Sequence, residues 1–159
     1  MPKLAAFPKG WLDDMGVEGG LTLPEWIEMA ATLDVDGLEF YTGFHDLKGK
    51  DEAGLTRYRR MVEDRGLEIS MLCCSPDFVH PDPGFRAEQV EHEKRWIDMT
   101  ATLGGTYCRV LSGQRHPEVS REDGIRYAAE SIKACLPRAE QAGVTLILEN
   151  HYKDDFWTY

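Results

Sequence analysis

An apolar run near the end of the sequence leads directly into polar residues that are suited to chemistry. The run VTLIL (residues 144–148) is followed by Glu149, Asn150 and His151. A charged carboxylate at the end of a buried strand is costly unless a metal ion, an arginine or a substrate hydroxyl compensates it. Mn²⁺, Mg²⁺ and Zn²⁺ all accept carboxylate oxygen. We therefore predict Glu149 as a candidate ligand of a divalent metal whose identity the sequence leaves open.

One carboxylate does not complete a metal site, because three or four ligands are normal. Four other residues of suitable type are candidates for the remaining positions, namely Glu39, His80, His151 and Asp155. Whether these residues can reach the same metal ion depends on the strands and loops that carry them.

Those elements are predicted to be strands and helices in alternation. Apolar runs predict strands that start near residues 4, 37, 67, 106 and 144. Thr22 and Glu25 form a capping box at the first long helix. Ser120 opens the last helix, in which Pro137 predicts a kink or a break. The predicted apolar stripe of that last helix consists of Ile125, Ala128, Ala129, Ile132, Leu136 and Ala139.

The spacing of the strands, about 30 to 40 residues, is typical of repeated βα units with parallel strands. An open Rossmann sheet needs a G-x-G-x-x-G turn after the first strand. The sequence there, PKGWLDDMGVEGG, lacks it. We therefore predict an α/β fold of the (β/α) TIM-barrel type, in one domain over residues 1–159. The barrel is incomplete, with about four βα units plus a fifth strand, since a closed barrel has eight strands and typically about 250 residues.

Ligands of such folds bind beyond the carboxyl ends of the strands. Glu39, Arg109 and Glu149 stand at or near those ends, and His80 follows the third strand. Three alternatives stay open from the residues alone. Glu39 could pair with Arg109 inside the barrel, His80 could only pack a loop, and Asp155 could be a solvated loop charge.

Composition narrows the class of protein. The formal net charge of −10 disfavours binding to nucleic acid, which needs clustered Lys and Arg. No apolar run reaches the roughly 18 residues of a membrane-spanning helix, and no signal peptide is evident. The four cysteines form no CxxC pair, which disfavours a cysteine zinc site and is typical of buried thiols. We predict a cytoplasmic protein.

Four motifs resemble one enzyme family. GLEFY, CCSPDFVHPDP, YCRVLSGQ and above all VTLILENHYKDDFW are similar to segments of the sugar phosphate isomerase/epimerase family. This family has the xylose-isomerase-like TIM barrel and includes repair enzymes of the endonuclease IV type.

The resemblance implies a divalent metal held by a Glu after strand five, an Asp after strand six, a His after strand seven and a Glu after strand eight. The two Glu residues move a proton at the carbon next to a carbonyl, which the metal polarises. Glu149 matches the first of them, in the roles of metal ligand and catalytic residue. The positions that the resemblance implies for substrate binding are Glu39, His80, Arg109, His151 and Asp155.

The expected function is that of a metal-dependent sugar or sugar phosphate isomerase or epimerase. The resemblance further implies that this chain is the N-terminal part of such an enzyme and is inactive by itself. The alternative from another class is a half-barrel that binds a ligand or self-associates through exposed sheet edges without catalysis. A nuclease of the endonuclease IV type is disfavoured by the acidic charge and by the single matched ligand.

Overall fold

The computed structural model describes residues 2–151, 155 and 156. Its strands are β1 (Ala5–Ala6), β2 (Gly37–Tyr41), β3 (Glu68–Cys73), β4 (Tyr107–Leu111) and β5 (Thr145–Glu149). Its α-helices are α1 (Leu12–Met15), α2 (Leu23–Ala30), α3 (Glu52–Glu63), α4 (Pro83–Thr102) and α5 (Arg121–Ala142). Single 3₁₀ turns cover Lys9–Trp11 and His45–Leu47. The strand order follows the chain, β1-β2-β3-β4-β5, which confirms the predicted α/β class with parallel βα units.

The chain divides into two compact units. The first contains the residues up to Cys73 together with Met99–Thr106, and the second contains Cys74–Asp98 and the chain from Tyr107 onward. The single domain over residues 1–159 stays a prediction.

The first unit is built on β1, β2 and β3, which pair in parallel. The capping box at α2 is confirmed: Glu25 donates its backbone N–H to Thr22 Oγ1, and Thr22 donates its own N–H to Glu25 Oε2 at 2.9 Å. Gly37 begins β2 where a Cβ atom would lie 2.6 Å from the Glu68 carbonyl oxygen, so only glycine fits there. The core of this unit is aliphatic and aromatic, with Ile27, Leu38, Phe40, Val62 and Leu72 fully buried.

The second unit is built on β4 and β5, which pair in parallel with Leu111 opposite Glu149. The helix α5 starts at the predicted cap, where Ser120 Oγ accepts the Asp123 N–H at 3.1 Å. It ends at Gly143, whose φ of 68° lies in the left-handed region that favours glycine.

Two expectations about α5 need correction. The helix runs through Pro137 without interruption, so the alternative of a break is wrong, and the alternative of a kink stays a prediction. Proline removes one hydrogen bond, but tertiary contacts hold the helix, such as the 2.6 Å ion pair between Arg138 and Asp98. The predicted stripe is also partly wrong, because Ile125 and Leu136 are exposed. The buried face consists of the smaller residues Gly124, Ala128, Ser131, Cys135 and Ala139.

Within the described ranges, no helix is both long enough and apolar enough to cross a lipid bilayer.

Candidate active site at the carboxyl ends of β4 and β5

The centre of the candidate site is a buried arginine on β4. Arg109 is 9% exposed, and its Nη1 donates to Glu149 Oε2 at 3.1 Å. Its Nη2 donates to the Cys74 carbonyl at 3.2 Å and to Ser75 Oγ at 3.3 Å. Its Nε is buried without a hydrogen-bond partner among the residues that the structure describes. Two of the predicted site residues, Arg109 and Glu149, therefore contact each other directly.

The register of the strands explains this contact. Arg109 lies opposite Ile147, and Glu149 is two residues farther along β5. Side chains two residues apart on a strand point to the same face, so Arg109 and Glu149 are diagonal neighbours on one face of the β4–β5 pair. The Glu149 side chain remains 44% exposed, which leaves it accessible to a ligand.

A metal at Glu149 needs partners that the described part of the chain does not assemble there. Among the described residues, no group of three His, Cys, Asp or Glu ligands within reach of one ion includes Glu149. Glu149 thus offers one carboxylate for a metal, and its role as a ligand stays a prediction.

Asp155 and Phe156 lie against the residues that follow β4. Phe156 donates its N–H to the Gly113 carbonyl at 2.7 Å. Asp155 accepts a hydrogen bond from Gln114 Nε2 at 2.7 Å, and its Oδ2 lies 2.8 Å from His151 Nδ1. The Asp155 side chain is 9% exposed, so the alternative of a solvated loop charge is wrong. Residues 152–154 and 157 of the motif ENHYKDDFW lie outside the described residues.

A second polar cluster joins the loops after Cys74 and after β4. Asp77 Oδ1 accepts the Gln114 backbone N–H at 2.9 Å, and Asp77 Oδ2 lies 2.9 Å from His116 Nε2. The ring of His80 lies 5.0 Å from that of His116 and 4.2 Å from that of Phe85. His80 therefore packs within this loop cluster, as its alternative interpretation predicts, and its role toward a substrate stays a prediction.

The loop after β4, together with Asp155 and Phe156, borders a cavity of ≈ 520 Å³. Its lining includes the cations Arg115 and Arg121, the ring of His116, and Asp155 with Phe156. Guanidinium groups bind phosphate and carboxylate, and a carboxylate accepts hydrogen bonds from hydroxyl groups. The lining is therefore suited to a small polyhydroxy compound with or without a phosphate group.

Glu39 belongs to the first unit. It lies on β2, is half-buried, and accepts a weak hydrogen bond from Cys73 Sγ at 3.8 Å. Its role in substrate binding stays a prediction.

Sequence reasoning missed Glu93 on α4. This residue is fully buried, and burial together with the neighbouring Cys108 raises the pKa of its carboxyl to about 10. The available signal was the apolar pattern of α4, in which Val90 and Ile97 bracket position 93 on the same helix face. A carboxylate in a buried stripe is a candidate for special chemistry.

Comparisons with known proteins identify the fold. The family described as xylose isomerase-like TIM barrel matches residues 27–159. D-psicose 3-epimerase from Clostridium cellulolyticum H10, solved with D-tagatose, superposes with a TM-score of 0.77 at 15% identity over 92% of this chain and 52% of that one. L-ribulose 3-epimerase superposes with a TM-score of 0.70 at 23% identity over 93% of this chain and 49% of that one.

A third solved structure, the IOLI protein with a bound zinc atom, has a TM-score of 0.70 at 18% identity over 92% of this chain and 51% of that one. Identities this low establish a shared fold and no more. The chain spans about half the length of these solved structures. No curated protein sequence matches the chain significantly. The family match covers most of the sequence, and the chain therefore belongs to the xylose isomerase-like TIM barrel family.

Proposed function

We propose that this chain carries part of the active site of a metal-dependent sugar or sugar phosphate isomerase or epimerase. The observation that supports the proposal most is the carboxylate of Glu149, which stands accessible at the carboxyl end of β5 and is oriented by Arg109. Ligand sites of barrel enzymes lie at this end of the strands. Two of the solved structures of similar fold are sugar 3-epimerases.

In the proposed reaction, Glu149 exchanges a proton with the carbon next to the substrate carbonyl. Arg109 donates to Oε2 of the carboxylate at 3.1 Å and so fixes its orientation before a substrate binds. The carboxylate therefore loses less conformational entropy when it reaches the substrate. A divalent cation, with Glu149 as its described ligand, would polarise the substrate carbonyl as a Lewis acid. His151 and Asp155, with Glu39, His80 and Arg109, are the proposed substrate contacts.

The proposed substrates are small sugars and their phosphates. The cavity beside Asp155 combines a carboxylate with two guanidinium groups, which together match hydroxyl and phosphate groups. The proposal includes a cytoplasmic location and no nucleic-acid partner, supported by four cysteines without a disulfide and by the net charge of −10.

We further propose that the 159-residue chain alone epimerises sugars slowly or not at all. Inversion at a carbon needs one group to remove the proton and another to return it from the opposite side. In the described part of the site, Glu149 is the carboxylate that we assign to removing the proton.

The test separates proton abstraction from epimerisation. The chain is incubated in D₂O with Mn²⁺ and D-tagatose or D-fructose, and NMR follows deuterium at the carbon next to the carbonyl. We expect slow exchange that Glu149→Gln abolishes, with little epimer formed, and a Mn²⁺ affinity that Glu149→Gln lowers about tenfold or more. The matched control is Glu63→Gln on the exposed surface of α3, which leaves both unchanged. Equal Mn²⁺ affinity in wild type and Glu149→Gln, with no exchange in either, would overturn the proposal.

One observation favours a second candidate function, the self-associating half-barrel. Ile147 and Leu148 on β5 are 38% and 47% exposed, which is unusual for a strand rich in β-branched and aliphatic residues. A second copy that pairs along β5 would cover them. Light scattering on the purified chain tests this: a dimer that Leu148→Lys converts to monomer supports the candidate, and a monomeric wild type refutes it.

A further inference from the structure

Two thiols and a carboxyl group meet between β4 and α4. Cys108 Sγ lies 3.3 Å from Glu93 Oε1 and 3.5 Å from Cys74 Sγ. All three residues are fully buried. One ligand atom from each lies within 4.8 Å of the other two. Within the described residues, this is the group whose atoms could surround a single ion.

The cluster lies on the opposite face of β4 from the candidate active site. Cys108 and Arg109 are consecutive residues of β4, and consecutive side chains of a strand point to opposite faces. Arg109 points toward Glu149, whereas Cys108 points toward Glu93 on α4. Cys74 is anchored beside them, since its backbone N–H donates to the Arg109 carbonyl at 3.1 Å.

Glu93 supplies an independent sign that a ligand belongs here. Its Oε2 is buried and has no hydrogen-bond partner among the described residues. Buried carboxyl oxygens are almost always satisfied by hydrogen bonds or by a metal ion. A bound divalent ion would take this oxygen as a ligand and compensate the charge of the buried carboxylate.

Two of the three separations in the cluster are close to those around a tetrahedral ion of zinc size. Bonds of about 2.3 Å to sulfur and about 2.1 Å to oxygen place two sulfurs about 3.8 Å apart and a sulfur and an oxygen about 3.6 Å apart. The present separations of 3.5 Å and 3.3 Å are shorter by about 0.3 Å, within reach of small rotamer changes. Thiolate sulfur favours zinc over magnesium, calcium and manganese.

We propose that Cys74, Glu93 and Cys108 form a buried structural zinc site, separate from the site at Glu149. Three protein ligands leave a fourth position for water. Because the cluster is inaccessible from solvent, the ion enters as the chain folds, and its binding stabilises the folded chain. The inference does not depend on the proposed enzymatic function, since it uses none of the residues assigned to that reaction.

The test uses cobalt as a spectroscopic probe in place of zinc. The full chain is expressed in zinc-depleted medium supplemented with Co²⁺ and is purified under reducing conditions. We expect about one equivalent of cobalt with the near-ultraviolet absorption that arises from sulfur-to-cobalt charge transfer. Glu93→Gln and Cys108→Ser lower the bound cobalt and this absorption at least tenfold. Two matched controls, Cys73→Ser with another buried thiol and Glu149→Gln at the candidate active site, leave the absorption unchanged.

The controls also separate this proposal from the proposed function. One outcome would support a metal at Glu149 and overturn the thiolate site. In that outcome, the wild-type chain binds cobalt without sulfur-to-cobalt charge-transfer absorption, and Glu149→Gln loses the cobalt. Where Cys108→Ser does not fold, zinc-edge X-ray absorption of the wild-type chain decides. Sulfur neighbours at about 2.3 Å support the site, and a shell of oxygen and nitrogen alone overturns it. A disulfide between Cys74 and Cys108 in the purified protein, detected by mass spectrometry after alkylation, also overturns it.

Discussion

Arg109 of β4 and Glu149 of β5 form a 3.1 Å ion pair in which the arginine is buried and the glutamate is half-exposed. The pair joins two residues 40 positions apart in the sequence, and the same guanidinium group also binds the Cys74 carbonyl and Ser75 Oγ. Arg109 thus ties the loop after β3 to the end of β5. This linkage sets the orientation of the carboxylate that we assign to proton transfer.

Replacing Arg109 is expected to destabilise the fold. Arg109→Ala removes hydrogen bonds between charged and polar groups, each worth about 1.5–3 kcal/mol when buried. Glu149 is partly solvated, which reduces the value of the ion pair, so we expect a loss of about 2 kcal/mol in the free energy of unfolding by urea. Arg59→Ala, which breaks an exposed pair with Glu63, is the control and costs about 0.5 kcal/mol or less. Equal losses for the two variants would contradict a structural role for Arg109.

The ring of Phe156 packs against Gly124 of α5. A Cβ atom at Gly124 would lie 2.5 Å from Phe156 Cζ, too close for any side chain. We expect Gly124→Ala to displace the Phe156 ring and cost about 1–3 kcal/mol in unfolding free energy. The displaced segment is also cut faster by protease.

The matched control is Gly10→Ala, because a Cβ atom there meets nothing within 4 Å. Wild-type protease resistance in Gly124→Ala would show that Phe156 does not depend on this contact.

Pro137 weakens α5 without interrupting it. Proline cannot donate to the carbonyl one turn earlier, and the position is exposed, so alanine loses no packing there. We expect Pro137→Ala to raise the free energy of unfolding by about 1–3 kcal/mol, measured by urea or thermal unfolding. Ala134→Gly, on the same exposed surface, serves as the comparison and is expected to lower the free energy of unfolding by about 1 kcal/mol. A loss of stability in Pro137→Ala would show that the proline relieves a strain in the helix.

The raised pKa of Glu93 predicts how stability changes with pH in the metal-free chain. The unfolded chain releases this proton near the ordinary glutamate pKa of 4.5, whereas the folded chain keeps it up to about pH 10. Between these values folding takes up a proton, so the contribution of Glu93 to stability falls as pH rises. Glutamine does not titrate. We therefore expect the stability of Glu93→Gln relative to wild type to increase with pH, by up to about 1.4 kcal/mol per unit.

Urea unfolding at about pH 5 and about pH 8 in the presence of a chelator measures this difference. Glu91→Gln on the exposed side of the same helix is the control. A hydrogen bond from Lys94 lowers the pKa of Glu91, so its contribution has the opposite sign and is lost as pH falls. Parallel pH profiles for wild type and Glu93→Gln would contradict a buried neutral Glu93.

Patterns close in sequence were predicted well. The strands, the Thr22 capping box and the Ser120 cap all appear where the sequence predicts them, because each depends on residues within one turn or one short run. The apolar stripe of α5 was predicted less well. Hydrophobicity alone favoured Ile125 and Leu136, but the face that packs uses smaller residues such as Gly124 and Ala128, which allow closer approach.

The sequence by itself determined the alternation of strands and helices, the family, and the presence of Glu149 at the end of an apolar strand. It did not decide which distant side chains meet. The pairing of Arg109 with Glu149, and the meeting of Glu93 with Cys74 and Cys108, depend on strand register and on the packing of α4 against β4. Those contacts join residues far apart in the chain, and a local pattern carries no information about distances that only the folded backbone sets.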